Sequence, residues 1–413
     1  MASTSKTDYL RFSAYSIKDL ITRKLTSDTK FTDQIYEGSN LAILIDIVSY
    51  MYQCLLYNVN NAAAESMWAD TQIYENINRL CKFIGYNPKG CATPTVTFTF
   101  DNREKEEGST RPKFANAQVL KYSCIDTGKT DSNGKRIYYS TDGSDITIGR
   151  YDTRDVLFYN GIWKLYPTIF SGTGNQYQTL ILRDLKSDAD EQKFVPSDKI
   201  DVWIDEGNGK LNKWERTDQG IFSSIDATVH TIYDQNKRIY NVRLNEDKSY
   251  EILFGNGSIG KNPPTNAKIY VFYLESNGMS GALTPNEIQG VNIQNSSELF
   301  GITQDLYYKL YSKDNFYTGE EGGEMQPTPT QLLLSEKKWS NTTQSTTGAI
   351  EETVDQIRYN APEWFKLGNR LVTTDDWEYF VKQCFRDGIL DVKCQNNWQY
   401  ISTFYRWLYN IGI

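Results

Sequence analysis

The stretch YEILFGNGSIGKNPPTNAKIYVFYLES, residues 250–276, places a glycine-rich loop between two apolar runs. The glycine spacing within it satisfies the G-x-G-x-x-G signature of dinucleotide-binding loops. Residues 255–261 also match G-x-x-x-x-G-K, which is the P-loop signature without its final Ser or Thr. Both signatures require a helix directly after the loop, because the N-terminal amides of that helix face the phosphate. Pro263 and Pro264 prevent such a helix, since proline lacks an N–H donor and clashes with the preceding turn. We therefore expect a wide loop between two antiparallel strands and no bound nucleotide.

The composition narrows the classes of function. The chain has 413 residues, a formal net charge of -8 and a pI of about 5.1. This acidity argues against the broad basic surface of a nucleic-acid-binding protein. Six cysteines without a C-x-x-C motif and one histidine, His230, supply too few ligands for a zinc site. His230 also has no nucleophile motif around it. We expect no metal, no cofactor and no enzymatic activity.

Aromatic residues are abundant, with 29 Tyr, 18 Phe and 9 Trp. They favour two interpretations equally. Aromatic side chains pack well in β-rich cores, and Tyr and Trp also suit contact surfaces on which a ring is half buried.

Changes in periodicity along the chain predict an α+β multidomain protein. An N-terminal helical domain is followed by a central antiparallel all-β domain, and then by a C-terminal helical core with a short strand. The predicted boundaries are 1–94 for the helical domain, 95–300 for the β domain, 301–347 for an extended linker, 348–395 for the C-terminal core and 396–413 for an aromatic-rich tail.

The N-terminal helices differ in character. The stretch SNLAILIDIVSYMYQCLLYN, residues 39–58, is apolar on nearly every side, so we expect a central, buried helix. Asp46, Ser49 and Gln53 interrupt it, and for that reason we do not expect it to span a membrane. A third helix is expected from about Ala62 to Ile84, with Gly85 as its C-terminal stop.

Alternation marks the β region. The stretch TVTFTF, residues 95–100, alternates threonine with apolar residues and predicts a half-buried strand. The Asn-Gly pair within VLFYNGIWKLY, residues 156–166, predicts a tight hairpin. Residues 200–216 and 239–255 predict two further hairpins.

The C-terminal core predicts a self-association site. One helix is expected from 348 to Ala361, ended by Pro362, and a second begins at a capping box of Thr373 and Asp376. Residues 389–394 predict a strand. Two short helices cannot bury all their apolar side chains against each other, so we expect some to face a second chain. The candidate interface residues are Ile350, Val354, Ile357, Trp364, Phe365, Trp377 and Val381.

Three segments, in this order, resemble one family. YEGSNLAILIDIVSYMYQ (36–53) and AAAESMWADTQIYENINRLCKFIGYNP (62–88) resemble the N-terminal helices of baseplate J-like proteins, including their Gly-Tyr-x-Pro ending. The stretch from 254 to 281 is similar to the Phe-Gly-Asn-Gly hairpin of the T-even-type wedge protein. Residues 348–381 resemble its C-terminal core, with an acidic helix, Ala-Pro, and Val-Thr-x-x-Asp-Trp. Their common order makes the resemblance more specific than any one motif.

The resemblance implies a structural protein of a phage tail baseplate wedge. Members of the family dimerise through C-terminal helices and link neighbouring wedges into a sixfold ring around the central hub. The implied partners are a second copy and other wedge proteins, with no nucleic acid and no membrane. The implied location is the virion, assembled in the host bacterial cytoplasm. Longer members continue past DVKC (391–394) through another β region, which leaves open whether this chain is naturally short or incomplete.

A second class of function also fits part of the sequence. A tail-associated, β-rich protein that binds or cleaves glycans would use exposed aromatic rings for stacking and two carboxylates for hydrolysis. This alternative accounts for the aromatic residues but not for the helices at both ends.

Overall fold

The computed structural model describes residues 14–27, 39–101, 117–148, 153–186, 194–207, 211–217, 236–258, 260–294, 304–311, 316–317, 326–327, 339–367, 372–384 and 392–402. The chain divides into two compact units. The first comprises Met1–Ile84 with Thr353–Ala361, and the second comprises Gly85–Glu352 with Pro362–Ile413. Helices at both ends and sheets between them confirm the predicted α+β multidomain class.

The first unit begins with three helices: α1 (Ala14–Thr26), α2 (Asn40–Glu65) and α3 (Tyr74–Ile84). The hydroxyl of Ser39 caps α2 by accepting a hydrogen bond from the backbone N–H of Ala42 at 3.0 Å. Gly85, with φ of 74°, ends α3 as the sequence predicted.

The expected start of the third helix near Ala62 is wrong, because that residue belongs to α2 and the next helix begins at Tyr74. The carboxylate of Glu65 organises the turn between them. It accepts hydrogen bonds from the Thr71 hydroxyl at 2.8 Å and from the backbone N–H of Ile73 at 3.1 Å. The range of the predicted third helix, 62–84, therefore spans parts of two helices and the turn between them.

The second unit contains the strands and the helix α4 (Gln304–Tyr311). The strands are β1 (Thr95–Asp101), β2 (Ala117–Val119), β3 (Cys124–Thr130), β4 (Arg136–Ser140), β5 (Ile146–Ile148), β6 (Thr153–Asn160), β7 (Ile162–Leu165), β8 (Phe170–Ser171), β9 (Thr179–Lys186), β10 (Ile200–Asp205), β11 (Leu211–Lys213), β12 (Glu215–Arg216), β13 (Ile239–Leu244), β14 (Ser249–Phe254), β15 (Lys268–Glu275), β16 (Ile293–Gln294), β17 (Phe316–Tyr317), β18 (Gln326–Pro327) and β19 (Trp339–Asn341). A short 3-10 helix covers Gly278–Gly281.

These strands form three main sheets. The six-stranded sheet has the order β16-β3-β4-β6-β1-β19, the five-stranded sheet joins β11-β10-β15-β7 with β8 also on β15, and the four-stranded sheet has the order β12-β13-β14-β9. Two further pairs are β17-β18 and β2-β5. Among the described strands, neighbours are antiparallel except for the parallel pair β12 and β13.

Two predicted hairpins are confirmed and two are wrong. β10 pairs with β11, and β13 pairs with β14, within the stretches 200–216 and 239–255. The Asn160-Gly161 pair instead carries the chain from β6 in the six-stranded sheet to β7 in the five-stranded sheet. The N–H of Gly161 donates to Tyr138, and the Asn160 side chain accepts from Ser276 at 2.9 Å. Hydrogen bonds with residues distant in sequence therefore hold this segment, in place of a local hairpin turn.

The opening stretch also joins two sheets. Both of its strands form, and no helix follows the glycine loop, but β14 lies in the four-stranded sheet while β15 lies in the five-stranded one. The loop is held by other segments, since the N–H of Lys261 donates to Lys237 and the N–H of Gly174 donates to Pro263. The expected hairpin between these two strands is therefore wrong.

Part of the predicted linker is built into the β unit. β19 pairs with β1, placing Trp339 opposite Phe100, and Trp339 is fully buried. Leu306, Leu310 and Tyr311 of α4 join the core of the five-stranded sheet. The description of 301–347 as an extended linker is therefore wrong for α4 and β19, because large apolar side chains in them are buried.

β19 is followed by α5 (Val354–Leu367), α6 (Thr374–Cys384) and a short helix over residues 397–402. α5 begins later than expected and continues through Pro362, so the prediction that Pro362 ends it is wrong. The capping box of α6 is confirmed, with the Thr373 N–H donating to Asp376 at 2.8 Å and the Asp376 N–H donating to the Thr373 hydroxyl at 3.1 Å. In the predicted strand 389–394, residues 392–394 are not a strand, and 389–391 lie outside the described residues.

Candidate assembly interface

The lysine of the glycine loop is paired with a carboxylate of a neighbouring segment. The Nζ of Lys261 donates to the carboxylate of Glu206 at 2.9 Å, and the Nε of Arg238 donates to the same oxygen at 3.0 Å. These hydrogen bonds, with that of Arg238 the stronger influence, hold the pKa of Glu206 below its usual value. The lysine that would contact a phosphate is therefore already paired with a carboxylate.

Helix α2 carries the largest exposed apolar surface of the first unit. The expectation of a buried, central helix is wrong: along its length only Ile45, Ser49, Leu56 and Ala64 are buried. Ten large apolar or aromatic side chains are about half exposed or more, namely Ile43, Leu44, Ile47, Val48, Tyr50, Met51, Tyr52, Leu55, Tyr57 and Val59. We call these ten residues the α2 arc.

The positions of these side chains define how far the arc extends. With about 100° of rotation per residue, the exposed side chains occupy roughly 220° of the circumference of α2. The remaining side carries the buried stripe, together with Asp46 and Gln53. α1 packs on α2, and its Lys18 forms an ion pair with Asp46 at 2.5 Å. Asp46 is thus paired within the chain, while Gln53 and the side chains of the arc stay exposed.

By length and composition, α2 is long and apolar enough to cross a membrane, and it alone meets that test among the described helices. The three polar residues that interrupt its first half therefore do not by themselves exclude a span. Asp46 is neutralised by Lys18, but that lysine lies on α1, which also carries Asp19, Arg23 and Lys24. Any molecule that covers α2 therefore also lies close to the charged side chains of α1.

The structure separates the first three candidate interface residues. Ile350 precedes α5 and is 43% exposed, whereas Ile357 within α5 is completely buried. The N–H of Ala349 donates to Ala92 at 3.0 Å, so the chain before α5 is extended and Ile350 and Val354 do not share a helical face. The predicted stripe of Ile350, Val354 and Ile357 is therefore wrong as a continuous surface.

Ile357 is buried by the first unit itself. The neighbouring Arg358 donates from Nε to the carbonyl of Trp68 at 3.3 Å and also donates to the carbonyl of Thr71. These bonds fix the first half of α5 on the turn between α2 and α3. Ile357 cannot contact a second chain unless this packing opens, so it is a core residue.

The other candidate residues are more accessible. Trp364 is half buried, and its ring meets that of Tyr86 edge-on at 6.0 Å between centroids. Phe365 is 63% exposed and Trp377 is 47% exposed, while Val381 is half buried. The sequence analysis missed Phe380, 42% exposed, although its spacing of three residues from Trp377 places both on one face of α6.

The structure decides between the two interpretations of the aromatic residues by location. Among the residues of 85–352 whose side-chain burial is described, no aromatic side chain is exposed, and Trp163, Trp214 and Trp339 are essentially completely buried. The exposed aromatic side chains lie on helices, such as Tyr50 and Trp377. Aromatic residues thus form cores in the sheets and surface in the helices.

The described residues contain no group of His, Cys, Asp and Glu side chains arranged to hold a metal ion. His230 lies outside the described residues. Two carboxylates of the described sheets form ion pairs with lysines, Glu275 with Lys164 at 2.6 Å and Asp201 with Lys213 at 2.8 Å. Burial raises the pKa of Glu275, but hydrogen bonds from Lys135 and Lys164 outweigh it and hold that pKa below its usual value.

No protein-family model and no curated protein matches this chain. Among solved structures, the chain is similar to a chain of the anti-feeding prophage baseplate, at 12% identity and a TM-score of 0.31, over 94% of this chain and 68% of that one. It is also similar to a chain of the TssK-TssF-TssG baseplate subcomplex of the type VI secretion system, at 7% identity and a TM-score of 0.26, over 81% of each chain. Both are baseplate structures, and at TM-scores this low neither likeness carries an argument about fold or function.

Proposed function

We propose that this chain is a structural subunit of a phage tail baseplate wedge, without enzymatic activity, which self-associates and helps to link wedges into a ring around the central hub. The specific part of this proposal rests on the sequence resemblance of residues 36–88, 254–281 and 348–381 to baseplate J-like and T-even-type wedge proteins. The general part, that the chain is a subunit of a larger assembly, rests on its surface.

The observation that carries the assembly role is the α2 arc. A helix that is apolar almost all round normally lies in the interior of a protein or in a membrane. Its ten side chains, each about half exposed, leave roughly 1,000 Å² of mostly apolar surface open to water. Single monomeric proteins rarely expose a contiguous apolar patch of more than a few hundred Å². A chain with such a surface is expected to be covered by another molecule when it functions.

The C-terminal helices supply a second surface. Phe365, Trp377 and Phe380 are exposed in α5 and α6, and aromatic side chains of this kind are enriched at protein interfaces. We place the proposed C-terminal self-association on these three residues and on Val381. Ile357 is excluded from it because it is buried in the first unit.

The glycan alternative loses its main support. It used exposed aromatic rings for stacking, and no ring is exposed among the residues of the β region whose side-chain burial is described. No observation on the described residues favours it over the structural role.

Deletion of the gene in the virus that encodes the chain tests the proposal. We expect lysates with free tail parts and few complete tails, and restoration of complete tails by the wild-type chain supplied in trans. Complete, contractile and infectious particles without the chain would overturn a structural role in the baseplate. Complete particles that fail only to attach to the host surface would instead indicate a glycan-binding role.

A further inference from the structure

One side of α2 carries the buried residues of the helix, and the other side, the α2 arc, is exposed to solvent. α1 packs on α2, whose buried residues include Ile45, Ser49 and Leu56, while roughly 220° of the circumference stays open. One neighbouring helix covers a stripe of roughly 100°. The open arc is therefore wide enough for at least one further helix packed along its length.

A lipid bilayer is an unsuitable occupant because of α1. That helix packs on α2 and carries Lys18, Asp19, Arg23 and Lys24, with the side chain of Arg23 76% exposed. A membrane that enclosed α2 would also enclose these charges, which is costly in hydrocarbon. An aqueous protein partner leaves them in water.

The charge distribution favours a partner with the same surface. Between Leu41 and Ala64 the one charged residue is Asp46, which lies off the arc and is paired with Lys18. An interface that binds a different protein and disfavours self-association commonly carries charges that attract the different protein and repel a second copy. The arc has no charged residue to supply either effect, so two copies of it meet without repulsion.

The area also fits a pair of identical chains. Each arc exposes roughly 1,000 Å², and one helix packed on it covers roughly 100° of its 220°, so two copies in contact would bury roughly 1,000 Å² in total, about the lower limit for a specific interface. The tyrosines Tyr50, Tyr52 and Tyr57 suit such a contact, since each can bury its ring and leave its hydroxyl at the rim.

We propose that the α2 arc is a homotypic interface, in which α2 of one copy packs against α2 of a second copy. This surface lies at the opposite end of the sequence from the C-terminal self-association proposed above and does not depend on it. A twofold axis relates the α2 arcs of the two copies, so both copies contribute the same surface to the contact.

Sedimentation equilibrium on the full chain at micromolar concentration tests the proposal with matched charge substitutions. Met51→Glu and Leu55→Glu place a carboxylate near the centre of the arc, where the side chains are 64% and 57% exposed and the single chain tolerates it. We expect each to weaken the association at least about 100-fold, because the carboxylate would be buried at the interface. Gln53→Glu adds the same charge on the exposed polar side of α2 and is expected to leave the mass unchanged.

The result is judged relative to the wild-type mass, which separates the two surfaces. A Met51→Glu chain with half the wild-type mass, unchanged helical circular dichroism and an unaffected Gln53→Glu control supports the homotypic contact, whether the wild type is a dimer or larger. Equal masses for the wild type and Met51→Glu overturn it, as does a wild-type monomer, which would leave a different protein as the partner. Flotation of the wild-type chain with vesicles of phosphatidylcholine and phosphatidylglycerol, lost in Met51→Glu, would also overturn it in favour of a membrane.

Discussion

Replacing Trp339 tests whether the C-terminal part of the predicted linker, residues 301–347, is a structural part of the β unit. Trp339 is completely buried, and its ring lies 4.9 Å from that of Phe100 and 5.5 Å from that of Phe158. Truncating a buried tryptophan to alanine typically costs about 3–5 kcal/mol. We expect Trp339→Ala to lower the free energy of unfolding of the β unit by that amount, since both aromatic contacts are lost with the buried area.

Trp339→Phe makes the prediction sharper. Within the described residues, the indole Nε1 of Trp339 has no hydrogen-bond partner, and burying an unsatisfied donor costs about 1–3 kcal/mol. Phenylalanine keeps part of the aromatic packing and removes that donor. The two effects oppose each other, so we expect Trp339→Phe to change the unfolding free energy by about 1 kcal/mol or less.

Urea unfolding of the full chain, followed by the circular dichroism of the β sheets, measures these differences. Trp398→Ala is the matched control, because Trp398 is 76% exposed in the short helix over 397–402. Its cost is expected to stay within about 0.5 kcal/mol. If Trp339→Ala costs no more than this control, Trp339 is not a core residue and the pairing of β19 with β1 is wrong.

Three further predictions concern other parts of the chain. Glu206→Gln should lower the free energy of unfolding by about 1 kcal/mol at neutral pH. Because the folded pKa of Glu206 is lowered from about 4.5, this difference from wild type should vanish as pH falls through that folded pKa. A difference in urea unfolding that does not depend on pH would contradict the pairing of Glu206 with Arg238 and Lys261. Glu65→Ala should destabilise the turn before α3 by about 1–2 kcal/mol, seen as faster hydrogen exchange of the amides of Gln72 and Ile73, and unchanged exchange would contradict the hydrogen bonds that these amides donate to Glu65. Phe365→Glu should reduce C-terminal self-association without loss of helical circular dichroism, and an unchanged sedimentation coefficient would remove Phe365 from that interface.

Local features of the fold could be predicted where short-range physics decides the outcome. The alternation of TVTFTF gave β1, in which Val96, Phe98 and Phe100 are buried, because a strand places every second side chain on one face. The capping box at Thr373 formed because two orphan amides and two side chains lie within one turn.

Partner choice could not be predicted, because it depends on distant segments. The Asn160-Gly161 pair favours a hairpin locally, yet the Asn160 side chain bonds to Ser276 and the backbone N–H of Asn277, so the chain changes sheets there. The same limit applies to pairing of β14 and β15, which are close in sequence and lie in different sheets.

The candidate interface shows the limit of apolar pattern as a guide to burial. The sequence of α2 identified an apolar helix, and such a helix is buried when its own chain is large enough to surround it. In this chain α1 covers one side only, so the apolar arc stays exposed. Conversely, Ile357 carried the expected spacing for an interface and is buried by its own unit. Neither outcome can be predicted from the spacing of apolar residues. That spacing shows which residues share a face of the helix, but not which segment or chain packs against that face.

Cross-linking mass spectrometry on intact particles of the virus that encodes the chain tests the central claim most directly. If the chain is a baseplate wedge subunit, its lysines should cross-link to other tail baseplate proteins, and labelled antibodies should mark the end of the tail away from the head. Isotope-mixed particles should also give links between two copies of the chain. Absence of the chain from purified particles, or cross-links confined to fibre or head proteins, would contradict the account.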